Sequence, residues 1–327
     1  MPLARFFSTF ALLVALGTAH ASGSVSPDAA RDRKPLLWRL SNGGATVYVL
    51  GSFHLLREQD YPLPREVDEA FWDAESVVFE VAPSELERPD NPATVRRLAR
   101  AADGVRLSER LDPARASALE AALAKRGLRL GQYEEFAPWL VNGQLVAGIS
   151  HGAGYRHEFG VDKHLMRRAR EAGKPVSGLE TFEDQMRTSA AAPVSEQLAT
   201  LKALLAAPDA VASAFDALRS AWTAGDVETL DRLTRQGMKQ SSPVSYRLVN
   251  TDRNNGWLPK LVELLQRPAG SDTLVVVGSM HLLGDDGVLA LLASRGYVAQ
   301  QLGGNRKGSL YALQGGAAPG PGAAAAP

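Results

Sequence analysis

The chain has 327 residues, of which 45% are hydrophobic and 22% charged. That is ordinary globular usage and suits one large domain, or a core carrying a substantial insertion, rather than a small stapled scaffold. Lys plus Arg and Asp plus Glu both number 36, so the chain lacks the basic excess that marks nucleic-acid-binding proteins, and the absence of cysteine excludes disulfides, thiolate metal sites and cysteine nucleophiles.

Met1 to Ala21 carries one early charge, Arg5, an apolar stretch from Phe6 to Leu16, and small residues Ala19 and Ala21 around His20. This is the layout of a secretory signal, and its apolar run is shorter than the roughly 20 residues that span a bilayer. The expectation is cleavage after Ala21 and an exported mature chain, periplasmic or secreted, with no membrane span.

Residues 22–35 are small and polar. Leu36–Leu40 and Thr46–Leu50 read as strands around an Asn-Gly turn at 41–44. Pro64–Ala74 is a short amphipathic helix, and Val77-Val78-Phe79 is an apolar run ending in Glu80. Asp112-Pro113 opens a helix that Gly127 stops. The four glycines between Gly148 and Gly160 suggest a mobile loop, leaving His151, His157 and Glu158 in solvent or on a lid. Val161–Ala172 is helical, Pro175–Leu179 a strand, and 195–237 almost wholly helical in pattern. Asn254–Gln266 is a helix, Leu274–Val277 a strand, Gly287–Ser294 a helix and Tyr297–Leu302 a last strand. From Gly303 the chain decays into a Gly/Ala/Pro tail that cannot build a core. Alternating strands and helices predict an α/β fold with a largely parallel or mixed central sheet over about 36–302. The helix-rich stretches 84–150 and 190–265 are additions beside it.

One repeat stands out. Residues 46–56, TVYVLGSFHLL, recur as 273–283, TLVVVGSMHLL, with seven of eleven positions identical. Each copy is followed by a helix and a strand, which points to duplication of a strand–loop–helix–strand unit. Glycine three residues before histidine occurs five times in the chain, so that spacing alone means little. Only His54 and His281 have a strand before them and Leu-Leu behind.

In a parallel sheet with right-handed crossovers, strand ends share one edge, where α/β proteins build their sites. Four strands end there in a polar residue: His54, Glu80, Glu180 and His281. A carboxylate closing a buried run is costly unless a metal, a cation or hydrogen bonds receive it. Two histidines and a carboxylate converging on one point make a metal site with an open position. The ligands are then His54, Glu80 and His281, and such a set suits Zn, Mn, Fe or Co. Glu180 is either a carboxylate behind the ligands or the base that activates water. Asp162 and Glu183 sit at helix starts, where acidic side chains cap. Arg253 precedes a turn-like Asn254-Asn255-Gly256. It either steadies developing charge on a substrate or pairs with Glu80 or Glu180.

These residues resemble the TraB/GumN (PrgY-like) family, which includes the Tiki proteases, from about Leu36 to Tyr297. The resemblance rests on the paired Gly-Ser-x-His motifs (51–54 and 278–281) and Phe79-Glu80. It rests also on Pro138-Trp139, Gly160-Val161-Asp162, Leu179-Glu180-Thr181 with Glu183 and Gln185, Arg253-Asn254, and the glycines at 284, 287 and 296. It implies an erythromycin-esterase-like α/β fold with the two histidines and a glutamate in its active site. Metal-dependent proteolysis in the Tiki members implies a peptidase-like hydrolase acting on a peptide or small molecule. The competing expectation is a non-enzymatic protein that sequesters a peptide or metal complex, and family association alone adds a polysaccharide-export accessory. Unlike Tiki, the chain carries no C-terminal membrane helix.

If residues 1–21 are a signal, the intact mass of the exported protein begins at Ser22. A cytoplasmic chain retaining Met1 overturns that expectation.

Overall fold

Val47–Leu50 and Leu274–Val277 are short apolar runs rich in β-branched residues and followed by glycine, a composition that favours buried strands over helices. In the computed structural model, which describes residues 34–41 and 43–303, they lie side by side at the centre of a six-stranded sheet. The strands are β1 (Leu37–Ser41), β2 (Thr46–Ser52), β3 (Ser76–Val81), β4 (Val176–Glu180), β5 (Thr273–Gly278) and β6 (Ala299–Gln301). Their spatial order is β4-β3-β5-β2-β1-β6. Residues 1–33, including the segment expected to be a signal, Asn42 of the first turn and the tail beyond Gly303 lie outside the described residues.

The four strands β4, β3, β5 and β2 are mutually parallel, while β1 pairs antiparallel with both β2 and β6. The sheet is therefore mixed, with a parallel block at its centre. Every residue of β2 and β5 is buried, as parallel strands covered on both faces require. The two motif copies run together one residue out of step, with Ser52 opposite Gly278. After β2 come the helix Arg65–Asp73 and β3; after β5 come the helix Val288–Ala293 and β6. Each copy thus feeds a strand–helix–strand unit, and all four parallel strands end on one edge.

Helices Asn91–Ala99, Pro113–Ala124 and Pro138–Gly152 fill the first added stretch, and Val194–Ala206, Pro208–Ala224 and Asp252–Leu265 dominate the second. Trp139 lies buried where its helix meets Val194–Ala206, and Gln197 Oε1 accepts its backbone N–H at 3.0 Å. Trp222 from Pro208–Ala224 reaches the sheet, donating from Nε1 to the Gly51 carbonyl at 2.9 Å. Two five-residue π-helical turns, Arg232–Gln236 and Arg247–Thr251, interrupt the helical run near the strand ends. Among the described residues no single helix is long and apolar enough to cross a membrane.

The structure corrects two local expectations. The glycine-rich stretch from 148 is a loop only in its second half: Gly148 and Gly152 lie in the helix Pro138–Gly152, and the chain from 153 passes through a short 3-10 turn at His157–Phe159 into Val161–Glu171. Glycine costs a helix only about 1 kcal/mol relative to alanine, and the buried face from Trp139 to Leu145 outweighs that. Arg253, expected just before a turn-like Asn254-Asn255-Gly256, lies with those three residues in the first turns of the helix Asp252–Leu265, whose inner face includes buried Trp257, Leu261 and Leu265.

The helical assignment makes opposite outcomes for two neighbouring glycines. A Cβ at Gly152 meets nothing within 4 Å, whereas Gly154 has a φ of +86°. Gly152→Ala is expected to stabilise by about 0.4–1 kcal/mol and Gly154→Ala to destabilise by at least as much. Urea denaturation checks both; an equal response in the two variants contradicts the assignment.

Candidate functional site

Glu80 is the last inward carboxylate of β3 and is almost fully buried, so its charge must be met locally. Oε1 accepts the Gly278 backbone N–H at 2.7 Å, and Oε2 accepts Gln185 Nε2 at 3.0 Å and Arg253 Nη2 at 2.6 Å. Burial pushes this carboxyl up, but Arg253 and the flanking groups outweigh it and hold Glu80 well below the ordinary carboxylate range.

Arg253 reaches the strand ends from the first turn of its helix. Nε donates to both oxygens of Glu180 at 3.1 Å, Nη2 donates to Glu180 Oε1 at 2.6 Å as well as to Glu80, and Nη1 faces the Val249 carbonyl and His281 Nε2, each at 3.1 Å. One guanidinium therefore binds two buried carboxylates, the planar multidentate geometry that lysine cannot reproduce. Trp257 Nε1 also donates to Glu180 Oε2, at 3.2 Å, and the Arg253 guanidinium stacks over the Trp257 ring at 4.7 Å. Burial raises the Glu180 pKa, with Arg253 opposing it.

The histidines follow the two glycine exits. His281 Nδ1 lies 2.7 Å from Asn254 Oδ1. Asn254 Nδ2 donates to the Asp286 carbonyl at 2.8 Å, so its oxygen is the acceptor and His281 carries its proton on Nδ1. Burial, reinforced by Arg253, pushes the His281 pKa down to about 3. His54 Nδ1 lies 3.1 Å from Asp162 Oδ1. Burial pulls the His54 pKa down, but the Asp162 carboxylate, helped by Glu80, holds it up at about 9. The His54 side chain is 16% exposed against 1% for His281, which makes His54 the one that meets solvent.

Both Nε2 atoms turn towards Glu80 Oε1, His54 at 4.0 Å and His281 at 3.8 Å. Gly278 supplies the room: a Cβ there would lie 3.1 Å from His54 Nε2 and 3.2 Å from Glu80 Oε1. The structure thus gathers His54, Glu80, Glu180, Arg253 and His281 at one sheet edge. In front of the two histidines lies a small cleft.

The donor chemistry suits a divalent ion. Asp162, Glu80 and Glu180 against Arg253 leave two negative charges when both imidazoles are neutral, and both Nδ1 atoms are held from behind, as metal-binding histidines require. Donor atoms 3.8–4.0 Å apart must draw inward to form bonds of about 2.0–2.1 Å. Arg253 must also yield His281 Nε2. Among the described residues no group of three or more His, Asp and Glu is already drawn together at metal-binding spacing.

Two residues do something other than their sequence positions suggest. Asp162 is in the first turn of its helix but does not cap it; Gly160 is the N-cap and the Asp162 carboxylate faces His54. Glu183 is not the capping-box residue: Thr181 and Asp184 form that box, because the reciprocal partner lies three positions after the cap. Glu183 pairs instead with Arg97 at 2.9 Å and with Arg187. His151 and Glu158 are exposed and His157 is half-buried. The partners that sequence reasoning left unassigned are Asn254 and Gln185. Their signal was their place beside Arg253 and one turn beyond Glu180.

Compared with known proteins, the chain matches the family described as TraB/PrgY/gumN over residues 36–301. It is similar to the uncharacterized protein YbaP of Escherichia coli (strain K12), with 24% identity over 250 residues, covering 76% of this chain and 89% of that protein. YbaP of Shigella flexneri gives the same identity and coverage. No solved structure matches the chain.

Because Arg253 neutralises two buried carboxylates, Arg253→Met is expected to cost about 3–5 kcal/mol, the penalty of an uncompensated buried charge. Arg253→Lys should recover only part of it. Urea unfolding at neutral pH measures both, and a loss below about 1 kcal/mol for Arg253→Met would show the guanidinium to be dispensable.

Proposed function

The chain belongs to the TraB/PrgY/gumN family, and we propose that within it this protein is an exported, metal-dependent hydrolase acting on peptides. One observation carries the reading: the Nε2 atoms of His54 and His281 converge on Glu80 Oε1 in the space left by Gly278. Export rests on the signal-like composition of residues 1–21.

His54, Glu80 and His281 would hold the ion, which could be Zn, Mn, Fe or Co. Such an ion supplies Lewis-acid polarisation of an amide carbonyl and lowers the pKa of water. The chain's own groups prepare the place. Asn254 fixes the Nδ1 proton of His281, whose Nε2 lone pair turns inward, while Asp162 holds His54 protonated, so that His54 would have to give up its Nε2 proton to ligate. Gln185 and the Gly278 N–H orient Glu80. Glu180 has both oxygens engaged by Arg253 and Trp257. We therefore give it the role of a carboxylate that holds Arg253, in preference to that of a base. Arg253 in turn keeps Glu80 charged, and releasing His281 would free an N–H to face developing negative charge.

A second reading is favoured by the Arg253 contact at His281 Nε2: the same edge sequesters a peptide without catalysis. Metal-dependent turnover separates the two. Elemental analysis of the purified protein, followed by peptide-library cleavage with and without chelator, is expected to give bound metal and chelator-sensitive cleavage. His54→Ala and His281→Ala should each lose the metal, abolish cleavage and lower the melting temperature, since an ion bound only to the folded state stabilises it by mass action. Retention of metal and melting temperature in both variants overturns the site. Normal metal content with no turnover transfers the assignment to the sequestering protein.

A further inference from the structure

The cleft in front of His54 and His281 has a composition that selects what enters it. Its walls are Phe53 and Leu55 from the loop after β2, Met280 and Leu283 from the loop after β5, and Leu230 from the helix Val227–Asp231. None of the residues lining it is Asp, Glu, Lys or Arg. Two of its hydroxyls are committed to the protein: Thr234 donates to the Leu230 carbonyl at 2.6 Å and Ser279 to the Ser52 carbonyl at 2.8 Å. Ser52 differs. It is 2% exposed, it lines the cleft, and its Oγ has no hydrogen-bond partner.

A buried hydroxyl without a partner is destabilising unless a ligand satisfies it. A charged side chain entering walls of this kind would lose its hydration, and the one cationic group in the lining, His54, is already paired with Asp162. An apolar side chain gains by the same transfer. The two histidines lie in the same lining, so whatever fills the cleft abuts the atoms proposed to do the chemistry.

We propose that this cleft is a substrate subsite for an apolar peptide side chain of leucine or phenylalanine type. The Ser52 hydroxyl hydrogen-bonds the peptide backbone beside that side chain. The inference deepens the hydrolase reading and rests on it for the meaning of "substrate", but its test needs no turnover.

The probes are four blocked peptides, acetyl-Ala-X-Ala-amide with X as Leu, Phe, Asp or Lys, titrated by calorimetry into the mature protein as purified and after chelation. The Leu and Phe peptides are expected to bind roughly tenfold or more tighter than the Asp and Lys peptides. Ser52→Ala should weaken the two apolar peptides about fivefold while the melting temperature of the free protein holds or rises, because the unsatisfied hydroxyl is gone. Met280→Lys should shift preference towards the Asp peptide. Should that variant fail to fold, Leu230→Ala serves instead and should weaken the Leu peptide more than the Phe peptide, which can fill the enlarged space. Equal affinity for all four peptides, or binding of none, overturns the proposal, as does an unchanged affinity in Ser52→Ala for the role of its hydroxyl. Apolar preference without cleavage supports the subsite and removes the hydrolase; cleavage without preference does the reverse.

Discussion

A single guanidinium holds the strand ends together. Arg253 is buried against Glu80 and Glu180, which close two neighbouring parallel strands, and its remaining donors meet a helix carbonyl and an imidazole. Two carboxylates cannot share a dry sheet edge without a cation between them. Remove that cation and the arrangement of β3, β4, the loop after β5 and the helix Asp252–Leu265 has no electrostatic reason to persist. A buried ion pair of this kind adds little net stability relative to apolar packing. Its contribution is geometric: it keeps Glu80 ionised and aims its second oxygen at two histidines.

Around that fixed carboxylate the two motif copies sit in different electrostatic surroundings. The two copies share strand, glycine, serine, histidine and the following leucines, yet their imidazoles hold protons very differently, near pH 9 for His54 and near pH 3 for His281. The difference lies outside the repeat. His54 is backed by the Asp162 carboxylate, whereas His281 is backed by the neutral Asn254 amide and confronted by Arg253. The two motif copies supply equivalent backbone positions, and residues outside the repeat hold one imidazole basic and push the pKa of the other down.

Legibility from sequence follows the range of the forces concerned. The strands, the shared edge and the quartet His54, Glu80, Glu180 and His281 could be read because each is written locally, as an apolar run with a polar ending. Arg253 was legible as a candidate partner of Glu80 or Glu180 because buried carboxylates demand a cation. The Asp162–His54 contact was not: an acid in the first turn of a helix looks like a cap, and its imidazole partner lies 108 residues away. The glycine-rich stretch misled for the complementary reason. Local propensity disfavours a helix through Gly148 and Gly152, and tertiary burial of Trp139, Leu140, Val141 and Leu145 overrides it. Glu183 and Asp184 differ by one position, and only fixing the cap at Thr181, three residues before Asp184, selects between them.

The π-helical turn Arg247–Thr251 sits immediately before Arg253 and Asn254. Its wider turn accommodates an additional residue in a helix that otherwise advances about 100° per residue. The turn therefore acts as a phase shifter, setting which side of the downstream helix points at the sheet. Closing that segment into α-helical hydrogen bonding with no residue removed would swing Arg253 and Asn254 together by about 100° away from the strand ends, so the ion-pair hub and the support of His281 would vanish in one step. Deleting one residue there would instead remove the bulge and leave the downstream helix facing as it does, because the bulge is what absorbs the additional residue. The segment 247–251 therefore tolerates a lost residue that the α-helical turn after it would not.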